Sequence, residues 1–527
     1  MPDIAIDTAP DHNSAPPSAK RVLVAITELH PFVSTGALGT VGAALPPALR
    51  ALGVDARMLM PGFPAIKSAL HNVRPVGQIS WHLIDTPISI LRGEHPDTGV
   101  PVYLVDLPVY YDRPGNPYMK KMGASGNVEW HDNVARFALF SWAAAAFAEG
   151  GIDADDAGMG WRPDVVHGFD WHVGLASAYL RAYPPATATR PASVISMQGL
   201  RWPGEYKADM FATLNLPAEF LGQQGMGYRG NMSLLKAGLS FADAITTVSE
   251  SHRLDVMQVP QGFGFESLLH RRRDHFYGIL NGVDYDTWAP EHNPHLSVPY
   301  GADTLDRRSS NKQALQREFA LNENANGFLL GSISRVSWQN GLDLLQGERL
   351  APLLQQGVQV IIHGDGEDHE CAAMDALARQ HPGQIAYRKR FNEATAQRIL
   401  GGIDALLMPS RFEAGVGVSH LYAMRFAALP IARGTGSLID TVIAFAPELS
   451  SSSAAYATGF LFDEPTHDAL IHAISAAQCI FAQPATWRQL QANAMAERFD
   501  WARTARQFRK LYSRISPRPT QPSQAQA

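Results

Sequence analysis

The residues of this chain that could do chemistry gather at the ends of apolar runs and at glycine turns. The segment HPFVSTGALGTVG (30–42) follows one such run and leads into a helical pattern. Gly36 and Gly39 would let its backbone approach a ligand at a helix N-terminus, where outward N–H groups favour phosphate. Close packing would use the same glycines equally well. Arg335, in SRVSWQNG (334–341), follows another apolar run. Its guanidinium can fork onto phosphate oxygens, or it can be a surface arginine after a strand. Thr435 and Gly436 form a TGS turn ahead of a helical pattern, a fit for backbone donation to phosphate. Asp170 and His172, in HGFDWH (167–172), stand at the end of an apolar run, where they could meet a substrate or order the loop. Glu413, in SRFEAG (410–415), could answer a helix dipole. Asn281, in LNGVD (280–284), could equally be a turn residue.

The elements that must position these groups alternate in type. RVLVAITEL (21–29) is short, apolar and β-branched, as a buried parallel strand is. A helix over 43–57 ending at Gly53 and a strand in ARMLMPG complete a βαβ unit. Apolar runs recur at 102–108, 163–170, 192–198 and 244–249, several of them separated by helical segments. That alternation predicts a doubly wound parallel sheet. A second series, at 327–335, 358–366, 384–391, 404–410 and 429–436, predicts a second sheet of the same class. Turn residues and charges are dense near 285–325, where the boundary is expected. Open α/β sheets bind ligands at the carboxyl ends of their strands, so a cleft between two such lobes is the expected site.

Bulk composition agrees and excludes other classes. A chain of 527 residues is too long for one ordinary core. With 46% hydrophobic and 18% charged residues it is of ordinary globular make-up. The formal net charge of -6 gives no basic field for nucleic acid. Two cysteines, Cys371 and Cys479, exclude a disulfide scaffold and supply no metal spacing; a cytoplasmic location fits. Residues 1–19 lack the pattern of a secretory signal and read as a disordered leader, and 516–527 as a disordered tail. No apolar stretch reaches the roughly 20 residues needed to span a bilayer, so no membrane role is expected.

The loop 31–46 resembles the glycogen synthase signature K-T-G-G-L-G-D-V, and further signatures follow in family order. They include YDRPGNPY (111–118), HDNVARFALFSWAA (131–144), WRPDVVHGFDWHVGLASAYL (161–180), NMSLLKAGLSFADAITTVS (231–249), GILNGVDYDTW (278–288), SRVSWQNGLDLL (334–345), MPSRFEAGVGVSHLYAM (408–424) and TGSLIDTV (435–442). Over roughly residues 20–515 the chain is similar to bacterial glycogen (starch) synthases. The resemblance implies an α/β fold of two Rossmann-like doubly wound domains facing a cleft, the GT-B type. The expected organisation is a first lobe over 20–290 on the glucan side and a second over 291–485 on the donor side. A C-terminal helix within 486–515 would cross back.

The implied reaction is retaining transfer of glucose from ADP-glucose to an α-1,4-glucan, without a cofactor. The implied partners are a nucleotide sugar and a glucan, and neither nucleic acid nor membrane. By the same resemblance Arg335 contacts the diphosphate and Glu413 holds the donor. Asp170, in the stretch that matches the family's H-D-W-H, and Gln198, which stands where the family has a histidine beside the reacting sugar, fall at catalytic positions, and His172 lies on the acceptor or sugar side. Ser34, Gly36, Gly39, Asn281, Asn340, Thr435 and Gly436 fall at donor-binding positions.

Several positions depart from the family pattern. Ser34 and Asn340 stand where it has phosphate lysines, Ala37 where it has a second glycine, Thr40 for its aspartate, and Gln198 for a histidine. Ser437 replaces a glycine, and 414–417 replace P-C-G with one extra residue. Arg201, Lys236 and Arg433 are the cations that could compensate, or be plain solvated charges. Two alternatives follow: an impaired relative that binds glucan or nucleotide sugar and regulates an active synthase, or a retaining transferase with another donor or acceptor.

Overall fold

The computed structural model describes residues 20–121, 127–150, 160–184, 189–347, 350–412, 417–446, 450–515 and 518–519. The leader 1–19, most of the tail, Glu413 and the altered loop at 414–416 lie outside the described residues.

Two sheets organise the chain. The first has nine strands in the order Phe276–Gly278, Ala244–Thr247, Ala192–Ser196, Val165–Phe169, Arg21–Ala25, Asp55–Pro61, Pro101–Asp106, Ile84–Glu94, His71–Trp81. From Phe276–Gly278 to Pro101–Asp106 every pairing is parallel. Central strands are covered on both faces, which is why RVLVA and VVHGF are continuous apolar runs rather than alternating ones. The chain builds outward from Arg21–Ala25 on one side, then returns to place Val165–Phe169 on the other. The order reverses between these two strands, so a crevice opens at their carboxyl ends.

The second sheet has six parallel strands: Ile385–Arg388, Gln359–His363, Leu329–Ile333, Ala405–Met408, Leu429–Arg433, Phe460–Phe462. Its order reverses between Leu329–Ile333 and Ala405–Met408. The segment carrying Arg335 leaves one of these strands, and the segment leading to Glu413 leaves the other.

Two features differ from the sequence expectation. The first helix is Leu38–Ala51, so it begins before residue 43 and takes Gly39 into its first turn. Gly53, at φ +80, follows its end as a left-handed glycine should. The first sheet is also extended by an antiparallel hairpin, His71–Trp81 with Ile84–Glu94, which carries register shifts around Pro75 and Gly77. Its outer strand is mostly exposed, which erased the alternation that would have marked it.

The C-terminal segment divides. Helix Pro484–Ala496 buries Trp487, Leu490 and Ala494 in the second lobe. Helix Trp501–Arg514, capped by Asp500 onto Arg503 N–H at 2.8 Å, buries Phe508, Leu511 and Tyr512 in the core of the first lobe. Tyr512 meets His167 Nδ1 at 2.7 Å. Phe508 and Leu511 are each worth about 1.5–3 kcal/mol when fully buried, enough to keep the crossing helix docked.

Candidate active site

A cleft of about 990 Å³ lies between the lobes, at both switch points. Gly36, Asp170, His172, Gln198, Arg335, Asn340 and Thr435 line it.

On the first lobe the wall is built from the crevice outward. Asp170 directly follows Val165–Phe169 and adopts φ +56, which turns the chain sharply into the short helix Trp171–Val173. Its carboxylate accepts from Gln198 N–H at 2.7 Å. Burial pushes the Asp170 carboxyl up to about 7, and the charge of Glu28 adds to the shift. The Gln198 side-chain oxygen accepts from Asn281 Nδ2 at 2.8 Å. Asn281 is thus a buried group behind the wall that fixes Gln198, not a lining residue. His172 stacks on Tyr118 with ring centroids 4.4 Å apart. Burial drives its pKa down to about 3, so the imidazole is neutral. Its Nδ1 is buried and has no partner among the described residues.

Glu28 was not singled out from the sequence and proves central. Only 3% exposed, it accepts from Thr35 N–H at 2.7 Å, Thr35 Oγ1 at 2.6 Å, Tyr118 Oη at 2.8 Å and Gly36 N–H at 3.3 Å. A carboxylate inside the apolar run RVLVAITEL was the available signal, because a buried charge requires partners. The expected phosphate amides of the first loop are therefore committed to Glu28. Ser34 turns onto its own loop, with Oγ donating to Gly36 O at 3.2 Å, and does not line the cleft. Gly39 does not line it either. A Cβ there would come within 2.6 Å of Ser34 Oγ, so this glycine serves close packing.

On the second lobe Arg335 is exposed, and its guanidinium makes no hydrogen bond or ion pair among the described residues. Asn340 Nδ2 donates to Arg335 O at 2.5 Å, which pins the loop. The Thr435–Gly436 turn is taken by the opposite lobe. Asp255 accepts from Gly436 N–H at 2.9 Å and from Thr435 Oγ1 at 3.3 Å. The contact is reciprocated: Asp440 accepts from Ser251 N–H and Oγ, both at 2.8 Å. Each carboxylate caps a short helix of the other lobe. The N–H expected to meet phosphate thus meets a carboxylate, and Gly436 is off the wall. Asp255 ends a helix, and nothing local marks its partner.

Of the three compensating cations, only Arg201 reaches the cleft. Lys236 spends its ammonium on the carbonyls of Gln223 and Gly227. Arg433 spends its guanidinium on the carbonyls of Asp463, Ser410 and Arg411. Among the described residues no cluster of His, Cys, Asp or Glu is arranged to hold a metal ion.

Comparison with known proteins agrees with this architecture. A family model for the starch synthase catalytic domain matches residues 21–271. A glycogen synthase of Albidiferax ferrireducens is 38% identical over 505 residues, covering 94% of this chain and 99% of that one. A glycogen synthase of Aromatoleum aromaticum is 39% identical, with 93% and 96% covered. The solved catalytic domain of starch synthase IV from Arabidopsis thaliana, bound to ADP and acarbose, superposes with a TM-score of 0.79 at 24% identity, covering 94% of this chain and 99% of that domain. The fold is the two-lobed GT-B fold of glycosyltransferases. With such identity over nearly its whole length, the chain belongs to the glycogen synthase family of glycosyltransferases.

Proposed function

We propose that the protein transfers glucose from ADP-glucose to the non-reducing end of an α-1,4-glucan, with retention at the anomeric carbon. The observation that carries this reading is one cleft holding Arg335 on one lobe and Asp170, Gln198 and His172 on the other. The second lobe takes the nucleotide and the first the glucan. The bond from the anomeric carbon to a phosphate oxygen breaks, and the acceptor hydroxyl oxygen bonds to that carbon. Its proton leaves with the departing phosphate. Negative charge gathers on the leaving group and positive charge on the sugar ring. Arg335 answers the first, and the Asp170 carboxylate the second. Gln198, held by Asn281, and His172 Nδ1 offer hydrogen bonds to sugar hydroxyls. Glu413 is assigned to the donor sugar on its position in the family signature.

Nucleotide sugar is the substrate, and the reading assigns its diphosphate to side-chain cations, so it calls for no cofactor. No helix among the described residues is long and apolar enough to cross a membrane. The reading includes a cytoplasmic location, which suits two unbridged cysteines.

The test is proton NMR of a short malto-oligosaccharide extended from ADP-glucose. A new α-1,4 linkage is expected, and a β linkage would overturn retention. Within this reading Asp255 competes with phosphate for Thr435 and Gly436. Asp255→Ala should therefore tighten ADP binding by about tenfold, the scale of one hydrogen bond to a charged group. Calorimetric titration measures it, and unchanged or weaker affinity would mean that the turn takes no phosphate.

A further inference from the structure

The walls of the cleft are short of positive charge. Its described lining carries the carboxyl groups of Glu28, Glu129, Asp170, Glu205, Asp255 and Glu367, but only two guanidiniums, Arg201 and Arg335. A departing diphosphate placed among six carboxyl groups requires every cation within reach, because like charge in a cleft sheltered from water is poorly screened. Arg335 alone is one positive charge against a leaving group that carries at least two.

Arg201 stands where a second cation would be useful. It belongs to the first lobe, three residues beyond Gln198, yet its Nη1 donates to Gln339 Oε1 of the second lobe at 2.9 Å. Gln339 lies in the segment that carries Arg335 and Asn340, and its own carbonyl accepts from Arg411 N–H at 2.8 Å. The anchor is therefore fixed, and it draws the Arg201 guanidinium to the Arg335 loop. One of the five N–H donors of Arg201 is used in this bond, which leaves the rest of the fork for an anion. Among the neighbouring cations of the second lobe, Arg411 is held by both oxygens of Asp343 at 2.7 Å, and Arg433 by backbone carbonyls. Asn340 brings no charge, and its Nδ2 donates to Arg335 O.

We propose that Arg201 is a catalytic residue that touches the leaving diphosphate, so that one arginine from each lobe closes on it. The inference rests on the transferase reading above and adds a consequence to it. The site is complete only when the lobes meet, because half of its phosphate charge comes from the acceptor lobe. Open lobes would then hold ADP weakly and hydrolyse donor slowly.

Arg201 is exposed, so its replacement leaves the fold intact, and melting temperatures of the variants serve as the control. Arg201→Ala is expected to lower kcat with ADP-glucose by about 10²-fold, the usual effect of removing one transition-state donor. ADP affinity, measured by calorimetry, should fall by about tenfold or more. Adding Asn340→Lys to Arg201→Ala returns a cation to the same loop and should recover a large part of both. A double variant no better than Arg201→Ala would contradict a charge role. Wild-type kcat and ADP affinity in Arg201→Ala would overturn the proposal while leaving the transferase reading intact. Should the wild type transfer no glucose, the transferase reading falls by itself. ADP affinity then decides the role of Arg201: a loss in Arg201→Ala supports it, and no change overturns it.

Discussion

Arg335→Ala is expected to lower glucose transfer by about 10²–10³-fold with the fold unchanged. Two observations set both halves of that expectation. The Arg335 guanidinium makes no hydrogen bond or ion pair among the described residues, so its loss removes no interaction that holds the lobe together. The residue is also exposed on the segment leaving Leu329–Ile333, at the switch point of its sheet. Charge on the departing phosphate grows between bound donor and transition state, so a cation there acts more strongly on the second than on the first. The loss should therefore appear mainly in kcat, with a smaller rise in KM. Arg335→Lys keeps the charge but not the bidentate fork and should fall between the two. Steady-state kinetics with ADP-glucose and glycogen measure this. A kcat within a few-fold of wild type in Arg335→Ala would remove Arg335 from the chemistry.

Asp170→Asn is the second large expectation, and its signature is a pH profile. The Asp170 carboxyl titrates at about 7 in the folded protein, because burial disfavours its charged form. If the carboxylate answers positive charge on the sugar ring, kcat must rise as pH passes through 7. Asp170→Asn should lose about 10² in rate at pH 8 and lose that rising limb as well. The oxygen that accepts from Gln198 N–H is retained, so the loop keeps its tie. Stability moves the opposite way. A carboxyl whose folded pKa lies above its usual 3.8 binds its proton more tightly in the native state. The wild type then loses stability as pH rises from about 4 to 7, by up to about 4 kcal/mol for this group. Relative to wild type, Asp170→Asn should be more stable at pH 8 than at pH 5. Urea midpoints at the two pH values check the sign, and a gap that narrows with rising pH would contradict it.

What the sequence revealed follows from where its information lies. Parallel strands buried on both faces are runs of apolar residues, so Arg21–Ala25, Val165–Phe169 and Leu329–Ile333 were readable, and with them the strand ends that face the cleft; the strand order, and so the switch points, came only with the fold. Asp170 and Arg335 were legible as candidates because each stands within two residues of the end of such a run. The hairpin His71–Trp81 with Ile84–Glu94 was not, since exposure and register shifts leave no period to read. The long-range partnerships were hidden for another reason. Glu28 with the first loop, Asp255 with Gly436 and Arg201 with Gln339 join segments that only the fold brings together. Motif position pointed to Ser34, Gly39, Asn281 and Gly436 as donor-binding. None of the four lines the cleft in this structure: Ser34 and Gly39 pack within the first loop, Asn281 holds Gln198, and Gly436 N–H donates to Asp255 of the other lobe.

The most direct test of the account is transfer of labelled glucose from ADP-glucose and from UDP-glucose into glycogen by the purified protein. Label from ADP-glucose that an exo-acting α-1,4-glucanase releases is expected, with one ADP formed per glucose added. No label from either donor, in a folded protein that still binds glucan, would contradict it and leave a glucan-binding relative without transferase activity.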